Sequence, residues 1–421
     1  MITRTKNKHG TKPKRILYVE NGIGYGGAII CLRHLVRNLD RDRFEPMVVT
    51  GRTGPHYEEI AGEACWLHIP DRHLDTVSMR KRLDNARWPR YFPGSRLAAG
   101  QIIARADDLG NFLPFYLRLR KAARQFGADL IHANNEPLCN RAALLVGRNL
   151  GIPTVCHVRG PQEGSRLMQA AFRLPTHFVP VSHWVSRSIQ DKLGVPPEKI
   201  TVVYDGLELH KLNTGADGNA FRKRFGVNPE NFAVGLVGLL IPWKGQEIFL
   251  DAAHMLRGRI PKLKMIIVGG TPKDCRPFEA MLRRRVKEER LEDTVIFTGH
   301  ISDMPPLYNG LDVVVSASTS PEPLGTVVIE SMAMGRPLVG PDHGGAAEMM
   351  NHEQTGLLFR PGDAEALARA IFRLYKDGAL RRRLGRAARK TALSTFAVAT
   401  HVEKIQEVYD RLFSKGAAHE R

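Results

Sequence analysis

Cysteine is scarce in this 421-residue sequence: five are scattered along the chain, and no two form a Cys-x-x-Cys pair. Such usage is typical of reduced thiols in a cytosolic protein and excludes a disulfide framework. None of the apolar runs approaches the roughly 18 residues of a membrane-spanning helix. The basic residues 1–14 lack the apolar core of a secretory signal, and we interpret them as a disordered tail.

Acidic residues are fewer than basic residues: the sequence has 43 Asp and Glu and 62 Lys and Arg. The excess is largest in residues 1–210, with 31 basic and 19 acidic residues. Within 72–124 there are 12 basic and 4 acidic residues. Interleaved with them are six aromatic residues, Trp88, Tyr91, Phe92, Phe112, Phe115 and Tyr116.

This basic stretch has three interpretations: a solvated surface, a patch that contacts an anionic membrane, or a nucleic-acid site. No helix-turn-helix, finger or RNP-type pattern accompanies the charge, so no nucleic-acid partner is expected. The stretch favours peripheral contact with an anionic membrane, while the solvated surface stays open. We therefore expect a cytoplasmic protein on the inner face of the cytoplasmic membrane.

Short apolar strands alternate with helical segments along most of the chain, from a first strand at 16–19 to a strand at 338–340. This alternation predicts parallel sheets with helices on both faces, which is the α/β class. The length of the chain suffices for two or three domains. Ligand sites of such sheets lie at the carboxyl ends of the strands.

The densest group of candidate site residues lies in the segment 320–345, SPEPLGTVVIESMAMGRPLVGPDHGG. Glu322 stands in a Pro-flanked loop, and Glu330 lies on the helix that is predicted to follow. Gly325 lets a ligand approach the backbone closely, and the N–H groups at a helix start suit an anion. Glu322 would accept hydrogen bonds from sugar hydroxyls and Glu330 from the two hydroxyls of a ribose. The chemistry suggested is recognition of a sugar attached to a nucleoside diphosphate.

The segment contains two glutamates separated by seven residues, then M-A-M-G-R-P and then H-G-G. This pattern resembles the signature of the retaining group 1 glycosyltransferases, family 4. The resemblance covers nearly the whole chain from Arg15. It implies the GT-B fold, with two doubly wound Rossmann-like domains facing a cleft. Residues 15–207 would form the acceptor side and 208–394 the nucleotide-sugar side. The C-terminal helix, 395–421, would cross back to the first domain.

The resemblance also implies roles for single residues of the second domain. Lys244, in a Lys-Gly pair, is similar to the family lysine that neutralises the leaving diphosphate. With Glu322 it is a candidate catalytic residue. Leu239 stands where the family often has arginine, so phosphate binding would depend more on Lys244 and the helix start. The donor-binding candidates are Glu330, Pro323, Leu324, Gly325, Thr326, Gly238 and Gly269.

In the first domain, a glycine-rich loop between the first strand and helix contains Gly26 and Gly27. In the family this loop faces the donor phosphates and the acceptor. His157 and Arg159 follow in T-V-C-H-V-R-G at a strand end, where family members often have a histidine. We take His157 as a third catalytic candidate and Arg159 as part of the acceptor side. His132, at the preceding strand end, is interpreted as structural.

The resemblance thus implies a hexosyltransferase that moves a sugar from a nucleotide sugar to an acceptor with retention of configuration. The basic stretch favours a lipid-linked or polysaccharide glycan as acceptor, as in cell-envelope polysaccharide biosynthesis. No metal-ligand cluster is evident, so no metal or other cofactor is expected. An NAD-dependent oxidoreductase is the first alternative, but Gly51-Arg52 follows the second strand in place of the acidic residue that holds the ribose. The second, a non-catalytic basic membrane- or nucleic-acid-binding protein, is disfavoured by the glutamate pair.

Overall fold

The computed structural model describes residues 12–21, 27–71, 108–162 and 166–419. The chain divides into two compact units. The first unit comprises Met1–Pro180, Ser188–Val202 and Lys404–Arg421, and the second comprises Val181–Arg187 and Val203–Glu403. Each unit contains a parallel sheet of six described strands, connected by helices.

The sheet of the first unit consists of β1 (Lys14–Glu20), β2 (Phe44–Thr50), β3 (Cys65–His68), β4 (Leu130–Ala133), β5 (Thr154–Val158) and β6 (His177–Pro180). Its strand order is β3-β2-β1-β4-β5-β6, so the order reverses between β1 and β4. The helices are α1 (Gly27–Asn38), α2 (Pro55–Glu58), α3 (Leu113–Phe126), α4 (Arg141–Leu150), α5 (Arg166–Ala171) and α6 (His183–Leu193). Residues of α6 up to Arg187 belong to the second unit.

The sheet of the second unit consists of β7 (Phe232–Val237), β8 (Leu263–Val268), β9 (Val295–Gly299), β10 (Val313–Val315), β11 (Leu338–Pro341) and β12 (Leu357–Phe359). Its order is β12-β11-β10-β7-β8-β9, which repeats the order of the first sheet and reverses between β7 and β10. The helices are α7 (Gly218–Arg224), α8 (Gln246–Leu256), α9 (Arg276–Glu288), α10 (Met304–Gly310), α11 (Thr326–Ala333), α12 (Gly344–Met349), α13 (Ala364–Lys376), α14 (Gly378–Thr395) and α15 (Val398–His419). Residues of α15 from Lys404 onward belong to the first unit.

Apolar side chains cover both faces of the second sheet. Successive residues of a strand point to opposite faces. Val234 and Leu236 of β7 therefore join one buried cluster with α8 and α13, while Ala233 joins another with α10 and α11. Strands that are buried on both faces read as continuous apolar runs, which is why the sequence predicted them. The second cluster packs α10 and α11 against one face of the sheet.

The α/β class with two doubly wound parallel sheets, predicted from the sequence, is confirmed. The first strand is longer than the predicted 16–19 and takes in Arg15 and Glu20, which are polar but buried and hydrogen-bonded. Arg15 donates to Glu45 Oε2 at 2.9 Å through its Nε and to Phe126 O at 2.6 Å through its Nη1, so two of its three guanidinium nitrogens have acceptors inside the unit. In the part of the chain that the structure describes, no helix has the length and apolarity to cross a membrane.

Candidate active site

The carboxyl ends of β7 and β10 are the place where the strand order of the second sheet reverses. Open α/β sheets bind ligands at such a reversal, because the loops diverge there and leave a crevice. After β7 the chain passes Gly238 and a 3-10 turn, Pro242–Lys244. After β10 it forms the loop that contains Glu322. The two loops come from adjacent strands, so residues distant in sequence meet at one edge.

Lys244 and Glu322 form an ion pair at this edge. The Lys244 Nζ lies 2.7 Å from Glu322 Oε2, and the side chains are 18% and 13% exposed. The hydroxyl of Ser318 donates to the other carboxylate oxygen of Glu322. The Lys244 Nζ also lies 4.6 Å from the centroid of the Trp243 ring. Two residues that the sequence assigned to separate tasks are therefore brought together as one charged cluster.

The loops that hold this pair are joined by backbone contacts. The Thr319 N–H donates to the Trp243 carbonyl at 2.8 Å. Gly245 has φ 78, and a Cβ at that position would lie 1.9 Å from the Ala317 carbonyl oxygen. Only glycine allows this backbone conformation together with this close approach. The Lys-Gly pair is therefore a packing requirement as well as a source of charge.

The glycine pair of the H-G-G motif supports the Glu322 loop from the other side. A Cβ on Gly344, whose φ is 64, would lie 2.8 Å from both the nitrogen and the oxygen of Glu322. A Cβ on Gly345 would lie 2.2 Å from the Pro323 carbonyl oxygen. The Gly345 N–H donates to the Glu322 carbonyl at 2.7 Å. The motif thus positions the backbone of the predicted sugar-binding loop.

Helix α11 begins at this loop. Gly325 is its N-cap, Thr326 is its first residue, and Leu324 is half-buried just before them. Gly325 lines one pocket together with Lys244 and Glu322. The first N–H groups of a helix lack intrahelical acceptors and favour anions. Pro323, Leu324, Gly325 and Thr326, the predicted donor-binding run, therefore form one turn beside the ion pair.

Glu330 lies further along α11 and has a partner that the sequence did not suggest. The Tyr308 hydroxyl of α10 donates to Glu330 Oε2 at 2.6 Å. Burial raises the pKa of the Glu330 carboxyl above its usual range, against the lowering effect of this hydrogen bond. Burial and the nearby carboxylate raise the pKa of Tyr308, so the phenol keeps its proton. This contact holds one carboxylate oxygen of Glu330 against α10.

Gly238 and Gly269 end the neighbouring strands β7 and β8. A Cβ on Gly269 would lie 1.8 Å from the Gly238 carbonyl oxygen, so position 269 needs glycine to pack, whereas Gly238 is favoured by its φ of 153. Gly269 also lines a second pocket, between the ends of β8 and β9, with Gly270 and His300. Gly238, Gly269 and the run from Pro323 to Thr326 therefore follow the carboxyl ends of neighbouring strands of this sheet, and Glu330 lies further along α11.

In the first unit, His157 is fully buried in β5. Its ring centroid lies 5.6 Å from that of His132. His132 Nδ1 is 2.6 Å from the Tyr409 hydroxyl, which in turn donates to the Tyr18 hydroxyl at 3.1 Å. His132 thus belongs to a buried polar cluster that includes α15. The side chain of His157 is enclosed by the first unit, and its catalytic role stays a prediction.

Arg159 follows β5 and contacts a residue that follows β4. Its Nη2 donates to Asn134 Oδ1 at 3.0 Å and its Nε to Asn134 O at 3.1 Å. The amides of Asn134 and Asn135 both donate to the buried carboxylate of Glu20, at the end of β1. Our sequence reasoning missed this network, although each of these residues stands at or just after a strand end. Gly27 begins α1, and Gly26 lies outside the described residues.

Two family models match the chain in consecutive segments. Residues 25–211 match the model described as Glycosyltransferase Family 4. Residues 217–391 match the model described as Glycosyl transferases group 1. The two segments together take in every described strand except β1.

Curated relatives share parts of this chain. The lipopolysaccharide core biosynthesis mannosyltransferase LpsB of Rhizobium meliloti is 29% identical over 217 residues, which cover 50% of this chain and 61% of LpsB. The D-inositol 3-phosphate glycosyltransferase of Acidothermus cellulolyticus is 31% identical over 286 residues, which cover 64% of this chain and 59% of that protein. The chain thus spans about three fifths of the length of these two relatives.

The structure of Anabaena HepE in complex with UDP has the same fold. The TM-score is 0.77 at 24% identity, and the superposition covers 94% of this chain and 100% of HepE. At this identity the likeness concerns the fold alone. None of these matches favours an NAD-dependent oxidoreductase or a non-catalytic binding protein.

Proposed function

Because this chain belongs to the group 1 glycosyltransferases, we propose that it transfers a hexose from a nucleotide-sugar donor to a glycan acceptor with retention of anomeric configuration. Its fold is GT-B, as the sequence predicted. The observation that most supports the proposal is the cluster of Lys244, Glu322 and Gly325 at the strand-order reversal of the second sheet. A cation, a carboxylate and a helix start in one pocket match the needs of a diphosphate joined to a sugar.

In the proposed reaction, the bond between the anomeric carbon and the phosphate oxygen breaks, and its electron pair leaves with the diphosphate. The acceptor hydroxyl forms the new bond on the same face of an oxocarbenium-like sugar, and its proton passes to the departing phosphate oxygen. An ammonium has three N–H donors. Lys244 can therefore stabilise the developing charge while it still contacts Glu322. Glu322 accepts hydrogen bonds from sugar hydroxyls and orients the ring.

For the rest of the donor, we assign the ribose to Glu330. The Tyr308 hydroxyl holds Oε2 and thereby orients Oε1. The phosphates lie at the start of α11, where its N–H groups replace the cation that Leu239 lacks. Leu239 is 42% exposed and supplies no charge. Leu239 therefore does not replace the positive charge of the arginine that the family often has at this position.

The acceptor side is assigned to the first unit, with Gly26, Gly27 and Arg159 as binding residues and His157 as a catalytic residue. Arg159 is supported by its place after β5, where its guanidinium is oriented by Asn134. A cell-envelope glycan is supported by the name of the relative LpsB, which refers to lipopolysaccharide core biosynthesis.

A lipid-linked acceptor on an anionic membrane is supported by α3. Residues 72–107 of the basic stretch lie outside the described residues, but α3 is described. Leu113 and Leu117, one helical turn apart, are 42% and 51% exposed, and Lys121 and Arg124 continue this exposed face. Exposed leucines beside basic residues are typical of a helix that lies in a membrane interface.

Co-sedimentation with vesicles tests this contact. We expect binding to vesicles of anionic lipid at low salt and much weaker binding at high salt or to neutral lipid. Leu117→Ser should weaken it, whereas Leu393→Ser, which alters a leucine of the second unit that is 44% exposed, should not. Equal, negligible binding to both kinds of vesicle would favour an acceptor in solution.

Thermal shifts with UDP, GDP and ADP, with their hexose derivatives and with NAD test the proposed activity. A ligand that binds only the folded protein raises its melting temperature. We expect one nucleoside diphosphate series to do so and Lys244→Ala to reduce the shift, with no effect of NAD. The stabilising sugar nucleotide is then assayed for transfer, and NMR of the product reads its anomeric configuration. Stabilisation by NAD alone would refute the proposal, and an inverted product would refute retention.

A further inference from the structure

A small pocket lies in the first unit, where the chain leaves β1 and β3. Asn21 directly follows β1, Asp71 follows β3, and Asn111 lies in the short helical turn before α3. The lining residues are Asn21, Asp71, Asn111, Phe112, Phe115, Cys139, Arg141 and Ala142. This is the carboxyl edge of the sheet, where α/β sheets bind ligands. No site residue predicted from the sequence lines this pocket.

Gly51 makes the pocket possible. A Cβ at this position would lie 1.9 Å from Asn21 Oδ1 and 2.8 Å from the Asp71 Cβ. Backbone hydrogen bonds hold the corner, from the Gly51 N–H to Glu20 O at 3.1 Å and from the Asp71 N–H to Gly51 O at 2.9 Å. The glycine that replaces the acidic residue of a dinucleotide site thus lets an amide and a carboxylate approach each other.

The pocket contains a buried hydrogen-bond acceptor that lacks a donor. Asn21 is 7% exposed, and its Nδ2 donates to Cys139 O at 3.4 Å, whereas its Oδ1 has no partner. A buried acceptor without a donor is costly. Beside it, the Asn111 amide, 5% exposed, donates to Asp71 Oδ1 at 2.5 Å. A ligand in this pocket would contact an amide oxygen and a carboxylate. Both are hydrogen-bond acceptors, so the ligand has to donate a hydrogen bond.

These groups select against an anionic ligand. A phosphate or carboxylate would place its oxygens against Asp71 and the Asn21 oxygen. The cation of the lining, Arg141, lies over the Phe112 ring, 4.2 Å from its centroid. The cavity volume of about 10 Å³ admits about one water-sized group. A single hydroxyl would therefore enter, while the molecule that bears it stays outside.

We propose that this pocket binds a hydroxyl of a neutral, hydroxyl-rich acceptor, a sugar or polyol, through Asn21 and Asp71. The inference depends on the proposed function, of which it describes the acceptor subsite. Gly51 takes part only through the space that it leaves.

Saturation-transfer NMR on the full chain tests the proposal. The probes are a mixture of the methyl glycosides of glucose, mannose, galactose and N-acetylglucosamine with myo-inositol, and separately inorganic phosphate as a competitor. We expect a sugar or polyol signal that phosphate does not displace. Asn21→Leu should weaken apparent binding about fivefold, the scale of one hydrogen bond. Gly51→Ala should do the same by displacing the Asn21 amide.

Asn149→Leu is the matched control, because this exposed asparagine of the same unit donates to the Tyr116 hydroxyl, away from the pocket lining. Each variant is checked for folding by its melting temperature and for the shift caused by UDP, GDP or ADP. Absence of any signal, displacement by phosphate, or an equal loss in Asn149→Leu would overturn the proposal. If no nucleotide stabilises the protein but the signal still depends on Asn21, the proposed transferase function fails and the hydroxyl site stands.

Discussion

Breaking the Lys244–Glu322 pair should lower both stability and turnover, and Lys244→Met is the most informative change because it keeps a long unbranched side chain. It leaves the Glu322 carboxylate, 13% exposed, with the Ser318 hydroxyl as its remaining side-chain donor. Exposed pairs contribute about 0–1 kcal/mol, and removing one partner of a buried pair costs about 3–5 kcal/mol. For this largely buried pair we expect a loss of about 2 kcal/mol.

A double-mutant cycle separates the pair from its surroundings. Urea unfolding of wild type, Lys244→Met, Glu322→Gln and the double variant, without nucleotide, should give a coupling of about 1–2 kcal/mol. The control cycle uses Lys262 and Glu230, a pair of the same unit with 60% and 50% exposed side chains at 3.4 Å, which should show no measurable coupling. Equal coupling in the two cycles would refute the ion-pair reasoning.

Turnover distinguishes a structural pair from a catalytic one. Lys244→Met should lower kcat by roughly 10²-fold, as expected when a preorganised charge is removed from a leaving group. Glu322→Gln should slow transfer while nucleotide affinity largely survives. Wild-type turnover in a variant that shows the stability coupling would leave the pair with a structural role alone.

Three further substitutions and one chelation test address other parts of the site and fold. Burial raises the folded pKa of Glu330, so its stabilising contribution is complete at acid pH and is lost as pH rises through that pKa. Glu330→Gln should therefore unfold at higher urea than wild type at pH 7.5, with a smaller difference at pH 4.5, and should bind nucleotide more weakly. Gly245→Ala should cost at least about 2 kcal/mol and reduce turnover, because it adds positive-φ strain and a backbone clash, whereas Gly258→Ala, with no atom near its Cβ, should be tolerated in both assays. Tyr409→Phe removes the hydroxyl beside His132 and should lower stability by about 1–3 kcal/mol in urea unfolding without changing nucleotide affinity. Transfer should persist in EDTA, since we expect no essential metal, and restoration of lost activity by Mg²⁺ or Mn²⁺ would contradict this.

Much of the architecture could be predicted because it is encoded locally. Apolar runs such as Leu263–Val268 form strands that are buried on both sheet faces. Helix α4, Arg141–Leu150, is followed by an αL glycine, Gly151, which is a local signal for the end of a helix. The loop and the helix between Glu322 and Glu330 could be predicted from the sequence, because turn residues and helical spacing act over a few positions.

The partners of the site residues could not be predicted, because they depend on strand order. Lys244 meets Glu322 because β10 pairs with β7, and no local pattern specifies this neighbour. For the same reason the sequence placed Glu330 on its helix but did not indicate Tyr308 as its partner. His157 was read as a strand-end residue, and packing decided that its side chain is buried.

The sequence by itself determined the α/β class, the spacing of the two glutamates and the absence of an acidic residue after the second strand. Only the tertiary structure decided what that absence does: Gly51 gives Asn21 and Asp71 room to form a pocket. Residue type and spacing reveal which groups are available. Contacts between chain segments far apart in sequence depend on the packing of the whole sheet, and these contacts decide which groups meet.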